Sequence, residues 1–152
     1  MNIPEYLQQF NKKISFDEYL KHEKNRINKN KIDRESWIRL IELQNFKCYY
    51  CETHLETIQE IIYNRLIDPR KRGEYGYSGM HFELDHKNAN KNDNSTENLV
   101  AACYYCNNDK SNTFSSKIFK DYFGKQKYVG FESLFNDKKL TKTNQLRHHF
   151  QL

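Results

Sequence analysis

The amino-acid sequence predicts an α+β fold, with short strands in the middle of the chain and helices before and after them. Apolar residues recur at helical spacing after Asp33 and again from Leu55 to Leu66. Residues 81–85 alternate between polar and apolar, and residues 99–102 form a short apolar run, as strands do. With 152 residues and 37% apolar side chains, the chain fits one compact domain with a modest core.

All four cysteines of the chain fall in two pairs with Cys-x-x-Cys spacing. Cys48 and Cys51 form one pair, and Cys103 and Cys106 form the other. Each pair can chelate a metal through one short turn, and four thiolates complete the closed tetrahedral set of structural zinc. A redox dithiol, the alternative, typically uses a single pair beside a strand-helix-strand unit. We therefore favour zinc, which would add to the stability of so modest a core.

The charge and hydropathy of the chain limit its partners. Lys and Arg outnumber Asp and Glu by 25 to 20, which favours an anionic partner without establishing one. No stretch approaches the roughly 20 apolar residues that span a bilayer, so we expect no membrane association. The first residues lack the basic and apolar blocks of a signal peptide, and the expected location is the cytoplasm.

The segment before the first cysteine pair predicts helices separated by a linker. Ser15 is the expected N-cap of a helix within the first thirty residues, and Asp33 is the expected N-cap of a helix that carries Trp37 and Ile41. Between them, residues 24–31 form a polar basic stretch. It is either a solvated connector or a phosphate contact.

Residues 52–102 are far longer than a minimal zinc ribbon needs, so a functional unit is expected between the two cysteine pairs. The helix from Leu55 should end before Pro69, and an exposed loop should run on to Gly79. That loop begins with a basic triplet that either contacts phosphate or is simply solvated: Arg70, Lys71 and Arg72.

In the strand at residues 81–85, Phe82 and Leu84 should face the core. The remaining residues share the other face: His81, Glu83 and Asp85. A polar loop at residues 87–97 then leads to the second strand. Beyond the second cysteine pair, we expect a helix near Lys110 and another that Ser115 caps and Gly124 ends; the tail from Tyr128 has no readable role.

The order of these features resembles the HNH endonucleases of the ββα-metal class, over roughly residues 46–120. The resemblance rests on the first cysteine pair, Asp85-His86 at a strand end, Asn98-Leu99-Val100, and Cys103-x-x-Cys106-Asn107 followed by Lys110. It implies a small zinc-stabilised ββα-metal core at residues 46–124. A helical extension would precede this core at residues 1–45 and another would follow it at residues 125–152, all within one compact domain.

The resemblance also implies a role for each matching residue. The four cysteines would hold the structural zinc, Asp85 and Asn107 a separate catalytic divalent ion, and His86 would be the general base. Asn98 would pin the loop through its side-chain amide. The chain departs from the family pattern in having Asn107 where many members have histidine, and in lacking a proline after His86.

These residue types suit the hydrolysis of a phosphodiester. Histidine accepts a proton from water near neutral pH, and the oxygens of Asp85 and Asn107 are ligands that suit Mg²⁺ or Mn²⁺. A four-thiolate site leaves no position for substrate, so the zinc would be structural. Because adjacent strand residues point to opposite faces, the strand must end or distort at Asp85 and His86.

Weaker candidates surround this set. Glu83 would either join the metal ligands or be an outer or surface carboxylate, and His81 is expected to be peripheral. Lys110 would contact a phosphate or be an exposed helix lysine.

Taken together, the sequence predicts a metal-dependent endonuclease that hydrolyses DNA, with double-stranded DNA as the family default and restriction or phage defence as compatible roles. A homodimer is compatible with this function, since paired subunits often make two strand breaks, but the sequence does not decide between one chain and two. The alternatives are a non-catalytic zinc module that binds nucleic acid and a dithiol redox protein.

Overall fold

The computed structural model describes residues 30–64, 66–67, 70–71 and 77–149. The helix expected from Ser15 and the residue Arg72 lie outside these ranges. No helix within them is both long and apolar enough to cross a membrane. The elements follow in chain order: α1 (Arg34–Leu43), α2 (Leu55–Tyr63), β1 (Arg70–Lys71), β2 (Tyr77–Ser78), β3 (Phe82–His86), a 3₁₀ turn (Thr96–Asn98), β4 (Leu99–Cys103), α3 (Tyr104–Lys110), α4 (Ser116–Ile118), a π-helical turn (Phe119–Gly124) and α5 (Lys125–His149).

Strands β3 and β4 form an antiparallel pair. Phe82 lies opposite Cys103, and His86 lies opposite Leu99. Every residue of β4 is buried, as its apolar run predicts. Each strand extends one residue beyond its expected C-terminal end, to His86 in β3 and to Cys103 in β4. Backbone hydrogen bonds do not depend on the side chains, so the two strands remain paired at these residues. Helix α3 follows β4 directly and contacts both strands, which makes a ββα unit.

Helix α1 begins where the sequence predicts it. The Asp33 carboxylate accepts a hydrogen bond from the Ser36 N–H at 2.9 Å, which satisfies one of the free N–H groups of the first turn. Trp37, Ile38 and Ile41 form the buried face. This helix therefore supplies one wall of the core.

Side chains and turns also contact the side of β4 that faces away from β3. The Gln44 side chain donates to the Ala101 carbonyl at 2.8 Å and accepts from the Ala101 N–H at 3.0 Å. The Tyr49 N–H donates to the same carbonyl at 3.0 Å. Farther along the strand, the Leu99 N–H donates to the Thr96 carbonyl. The first cysteine turn is thereby fixed against β4.

The prediction of a loop from Arg70 to Gly79 is wrong at both ends of that segment. Residues 70–71 pair with residues 77–78 in a short antiparallel ribbon, β1 with β2. Backbone groups of a chain that turns back on itself can satisfy one another in this way, even where the side chains show no strand pattern.

The helices after β4 differ from expectation at two boundaries. Helix α3 begins at Tyr104, before Asn107 rather than after it. Ser115 caps α4 as expected, with its hydroxyl accepting from the Ile118 N–H, but the helical path continues through Gly124 into α5. The reason is packing, since a Cβ at Gly124 would lie 2.2 Å from the Tyr50 carbonyl oxygen. That glycine permits a close approach and does not end the helix.

Candidate active site and metal centre

The four cysteines converge on one point, with their sulfur atoms all within 4.8 Å of one another. Cys48 and Cys51 lie in the turn that follows α1, Cys103 ends β4, and Cys106 lies in the first turn of α3. All four are buried. A metal ion held here would join the first turn, the sheet and α3.

The geometry and chemistry of this cluster fit zinc. A tetrahedron with Zn–S bonds of about 2.3 Å has sulfur atoms about 3.8 Å apart, within the observed spread. The Cys103 N–H donates to the Cys48 sulfur at 3.3 Å, and the Cys106 N–H to the Cys103 sulfur at 3.4 Å. Burial raises the pKa of the Cys103 thiol well above its usual value. A soft dication offsets the charge of four crowded thiolates.

Asp85 lies between the first cysteine turn and α3. The Tyr50 hydroxyl donates to its Oδ2 at 2.5 Å, and the Lys110 ammonium lies 3.2 Å from the same oxygen. Burial, and then the hydrogen bond to Asp85, raises the pKa of the Tyr50 phenol above its usual value, so Tyr50 remains a donor. Two donors thus orient the carboxylate through Oδ2, and Oδ1 is the oxygen that neither of them contacts.

Glu83 and Asn107 form a second contact between β3 and α3. The Asn107 side-chain N–H₂ group donates to the Glu83 Oε2 at 2.7 Å, which links α3 to β3. Strand geometry places Glu83 and Asp85 on one face, but burial does not alternate as predicted, because Asp85 is buried and Leu84 is only half-buried. With its nitrogen bonded to Glu83, the Asn107 amide has its oxygen as the end that can bind a cation.

His86 is the last residue of β3, and 6% of its surface is exposed. The sequence predicts that the strand ends or distorts at Asp85 and His86, but both residues pair in register, Asp85 with Val100 and His86 with Leu99, and β3 ends after His86. The His86 Nε2 lies 2.8 Å from the Oδ1 of Asn94, in the loop between β3 and β4. The imidazole therefore contacts this loop.

Asn98 ties that loop together. Its Oδ1 accepts from the Asn88 N–H at 3.0 Å, while its Nδ2 donates to the Asn88 Oδ1 at 2.9 Å and to the Asp93 carbonyl at 2.8 Å. Asn98 is buried. These bonds link residues 88 and 93 of the loop to the start of β4.

Of the remaining predicted residues, His81 is half-buried directly before β3, and Lys110 lies at the end of α3. Lys110 is fully buried, so the alternative that it is an exposed helix lysine is wrong. Helix α3 ends at Lys110, near the C-terminal end of β3. The lysine ammonium contacts the Asp85 carboxylate and the His86 carbonyl there. Arg70 and Lys71 lie in β1, where only the backbone is described.

Two residues of the site were not predicted from the sequence, Tyr50 and Asn94. Tyr50 stands inside a Cys-x-x-Cys turn, where an aromatic residue is expected to cover the metal cluster. Asn94 is one of several asparagines in a polar loop. No local signal distinguishes either residue, because each acts on a partner that only the fold brings near.

Two lysines flank the first cysteine turn. The Lys120 ammonium lies 4.1 Å from the centre of the Tyr49 ring and donates to the Tyr49 carbonyl at 2.5 Å. The Lys87 ammonium lies 5.8 Å from the same ring. Lys87 directly follows His86, so positive charge lies next to the candidate site.

The fold and the site define a small α+β domain with a ββα core and a four-cysteine cluster positioned to bind a metal. Residues 68–113 match the sequence model of the family described as HNH endonuclease. The match confirms the resemblance; it includes β3, β4, α3 and the second cysteine pair, whereas Cys48 and Cys51 precede it. No curated protein and no solved structure matches the chain.

Proposed function

We propose that this protein is a metal-dependent endonuclease that hydrolyses phosphodiester bonds in double-stranded DNA, with His86 as the general base. The observation that carries the proposal is that α3 contacts β3 through two polar pairs, Asn107 with Glu83 and Lys110 with Asp85, with His86 next along the strand. All of these residues lie within the segment that matches the HNH family.

Asp85 and Asn107 would hold the catalytic divalent ion, Mg²⁺ or Mn²⁺. Both offer hard oxygen ligands, which these cations prefer. When bound, the ion would offset the negative charge that develops on the phosphate and on the departing oxygen. Tyr50 and Lys110 orient the Asp85 carboxylate by holding its Oδ2, so the direction of Oδ1 is fixed before any ligand arrives.

His86 would take a proton from the water that attacks phosphorus. Its Nε2 bonds to Asn94, so Nδ1 is the nitrogen that would accept the proton. His86 ends β3 and Asp85 precedes it directly. Because adjacent strand residues point to opposite faces, the imidazole would reach the substrate at the end of the strand, and the Asp85 carboxylate would reach the ion from the face that it shares with Glu83.

The cysteine cluster would hold a structural zinc. Cys106 precedes Asn107 directly, so zinc ligation would set the position of the first turn of α3 and, with it, of Asn107. The same ion would fix the turn that carries Tyr50. Lys87 and Lys120 would face the phosphates of the substrate.

The test is cleavage of supercoiled plasmid by zinc-loaded protein with Mg²⁺ or Mn²⁺. We expect the wild-type protein to cleave and His86→Ala to lose activity by about a hundredfold or more, since general base catalysis contributes about that much. His81→Ala is the matched control, because it changes a nearby histidine outside the proposed site, and it should retain activity. Zinc content and circular dichroism should be equal in all three proteins.

Equal cleavage by wild type and His86→Ala would contradict the assignment of the base. A gel shift of plasmid or oligonucleotide by both proteins, without cleavage by either, would instead support the non-catalytic alternative. One observation favours that alternative. Lys87, Tyr49 and Lys120 form a basic and aromatic group, which can bind nucleic acid in a protein that has no catalytic activity.

A further inference from the structure

The donor and the acceptor of the hydrogen bond between His86 and Asn94 can be assigned. The Asn94 Oδ1 is an amide oxygen and can only accept a hydrogen bond, and it lies 2.8 Å from the His86 Nε2. The proton of a neutral imidazole must then be on Nε2. Its lone pair is left on Nδ1, the nitrogen that has to accept a proton from water.

The loop holds Asn94 from both sides. The Asp93 carboxylate accepts from the Ser95 N–H at 3.1 Å and from the Ser95 hydroxyl at 2.6 Å. It also accepts from the Asn88 side chain at 2.8 Å. Asn98 in turn bonds to the Asp93 carbonyl.

This network gives Asn94 a defined place although its own side chain is exposed. Asp93 and Ser95 bracket it directly, and the buried Asn98 ties Asp93 to the start of β4. A side chain held this way can orient a partner at little further entropic cost.

We propose that Asn94 is a positioning residue, which fixes the tautomer and the ring orientation of His86 so that Nδ1 is the basic nitrogen. This inference rests on the proposed function for its catalytic meaning. Its structural content, the location of the imidazole proton, can be measured whether or not the protein cleaves DNA.

The first experiment is a long-range ¹H–¹⁵N correlation spectrum of zinc-loaded protein labelled at histidine, recorded where the imidazole is neutral. His86→Gln identifies the His86 signals among those of the six histidines. We expect the wild-type protein to show His86 with the proton on Nε2, and Asn94→Ala to show a mixture of tautomers. The control Asn92→Ala removes an exposed asparagine from the same loop and should leave the spectrum unchanged.

The second experiment measures cleavage kinetics with the same variants. We expect Asn94→Ala to lower kcat on the order of tenfold to a hundredfold, the usual effect of removing an orienting hydrogen bond, while KM changes by less than about twofold. Asn94→Asp keeps an acceptor oxygen and should recover most of the lost kcat. Asn92→Ala should match the wild-type protein.

The outcomes separate the two proposals. A proton on Nδ1 of His86 in the wild-type protein would mean that the Asn94 amide donates, and it would overturn the inference. An unchanged tautomer in Asn94→Ala would do the same. If the protein cleaves no DNA but Asn94 still controls the tautomer, the proposed function fails and the orientation assignment stands.

Discussion

A fully buried lysine must find acceptors for its N–H groups, and Lys110 finds them at the end of β3. Its ammonium lies 3.2 Å from Asp85, 3.4 Å from the His86 carbonyl and 3.5 Å from the Ser111 carbonyl. Since an unpaired charge in the interior is costly, the lysine and the aspartate depend on each other.

Replacing Lys110 should therefore destabilise the protein. We expect Lys110→Met to lower the free energy of unfolding by about 3 kcal/mol, because it leaves the Asp85 carboxylate buried without its cation. Denaturant titration of the zinc-loaded protein measures the change. Lys117→Met is the control, because it breaks an ion pair with Asp121 in which the lysine side chain is 85% exposed, and its effect should be within error. Similar losses in both variants would contradict the importance of the buried pair.

The proposed metal ligands can be tested without activity. Asn107→Ala should weaken Mn²⁺ binding on the order of tenfold or more, because it removes an oxygen ligand and its tether to Glu83. Asn108→Ala, at the exposed neighbouring position, should bind as the wild-type protein does. Electron paramagnetic resonance of Mn²⁺ gives the affinity in zinc-loaded protein. Equal affinities would remove Asn107 from the ligand set.

At the scale of elements, the helical path from α4 to α5 contains two glycines, and we expect their replacement by alanine to have opposite effects on stability. Gly124 packs on the first cysteine turn, and a Cβ there would lie 2.2 Å from the Tyr50 carbonyl oxygen. Gly124→Ala should therefore destabilise the protein by about 2 kcal/mol through overpacking. Gly130 has nothing within 4 Å of a Cβ, and Gly130→Ala should stabilise α5 by about 1 kcal/mol. Thermal unfolding of both variants measures these changes. A shift of the melting temperature in the same direction in both variants would refute the packing argument.

Helix α2 begins at a histidine cap that titrates. The His54 Nδ1 accepts from the Glu56 N–H at 3.1 Å, which requires an unprotonated nitrogen. Burial lowers the pKa of His54 from its usual value of 6.5. A group with a lowered folded pKa stabilises the fold above its unfolded pKa, and this contribution is lost as the pH falls through the folded value.

We accordingly expect acid to destabilise the wild-type protein more than His54→Asn, whose cap does not titrate in this range. Melting temperatures on either side of neutral pH provide the measurement. The comparison between the two proteins cancels the effect of acid on the cysteines, which both share. Parallel pH profiles would show that the cap contributes nothing to the pH dependence.

At the scale of the whole molecule, the cysteine cluster joins segments more than fifty residues apart in sequence. Removing zinc by chelation should unfold the core, because zinc binding contributes roughly 10 kcal/mol or more, comparable with the total stability of a small domain. Native mass spectrometry should find a single zinc ion per chain. Circular dichroism should show the fold lost with chelation and regained with Zn²⁺ but not with Mg²⁺. A metal-free protein with freely titrating thiols would support the dithiol alternative.

The features that could be predicted from the sequence are those with a local signal. The spacing of the cysteine pairs and the Asp33 cap each depend on a few neighbouring residues, and the structure bears them out. The features that could not be predicted depend on contacts across the fold. The sequence predicts a helix end at Gly124 because nothing in its neighbourhood indicates the Tyr50 carbonyl against it.

The contacts along β4 also bear on how the protein meets other chains. A two-stranded sheet has two open sides, and exposed backbone groups on either can recruit a further strand. Gln44 and Tyr49 occupy the Ala101 N–H and carbonyl, and the Cys48 sulfur takes the Cys103 N–H. The Gln44 side-chain amide occupies the backbone groups to which a third strand would bond. β4 is thus closed to strand exchange and to the edge-to-edge growth that leads to aggregation, and any self-association has to use another surface.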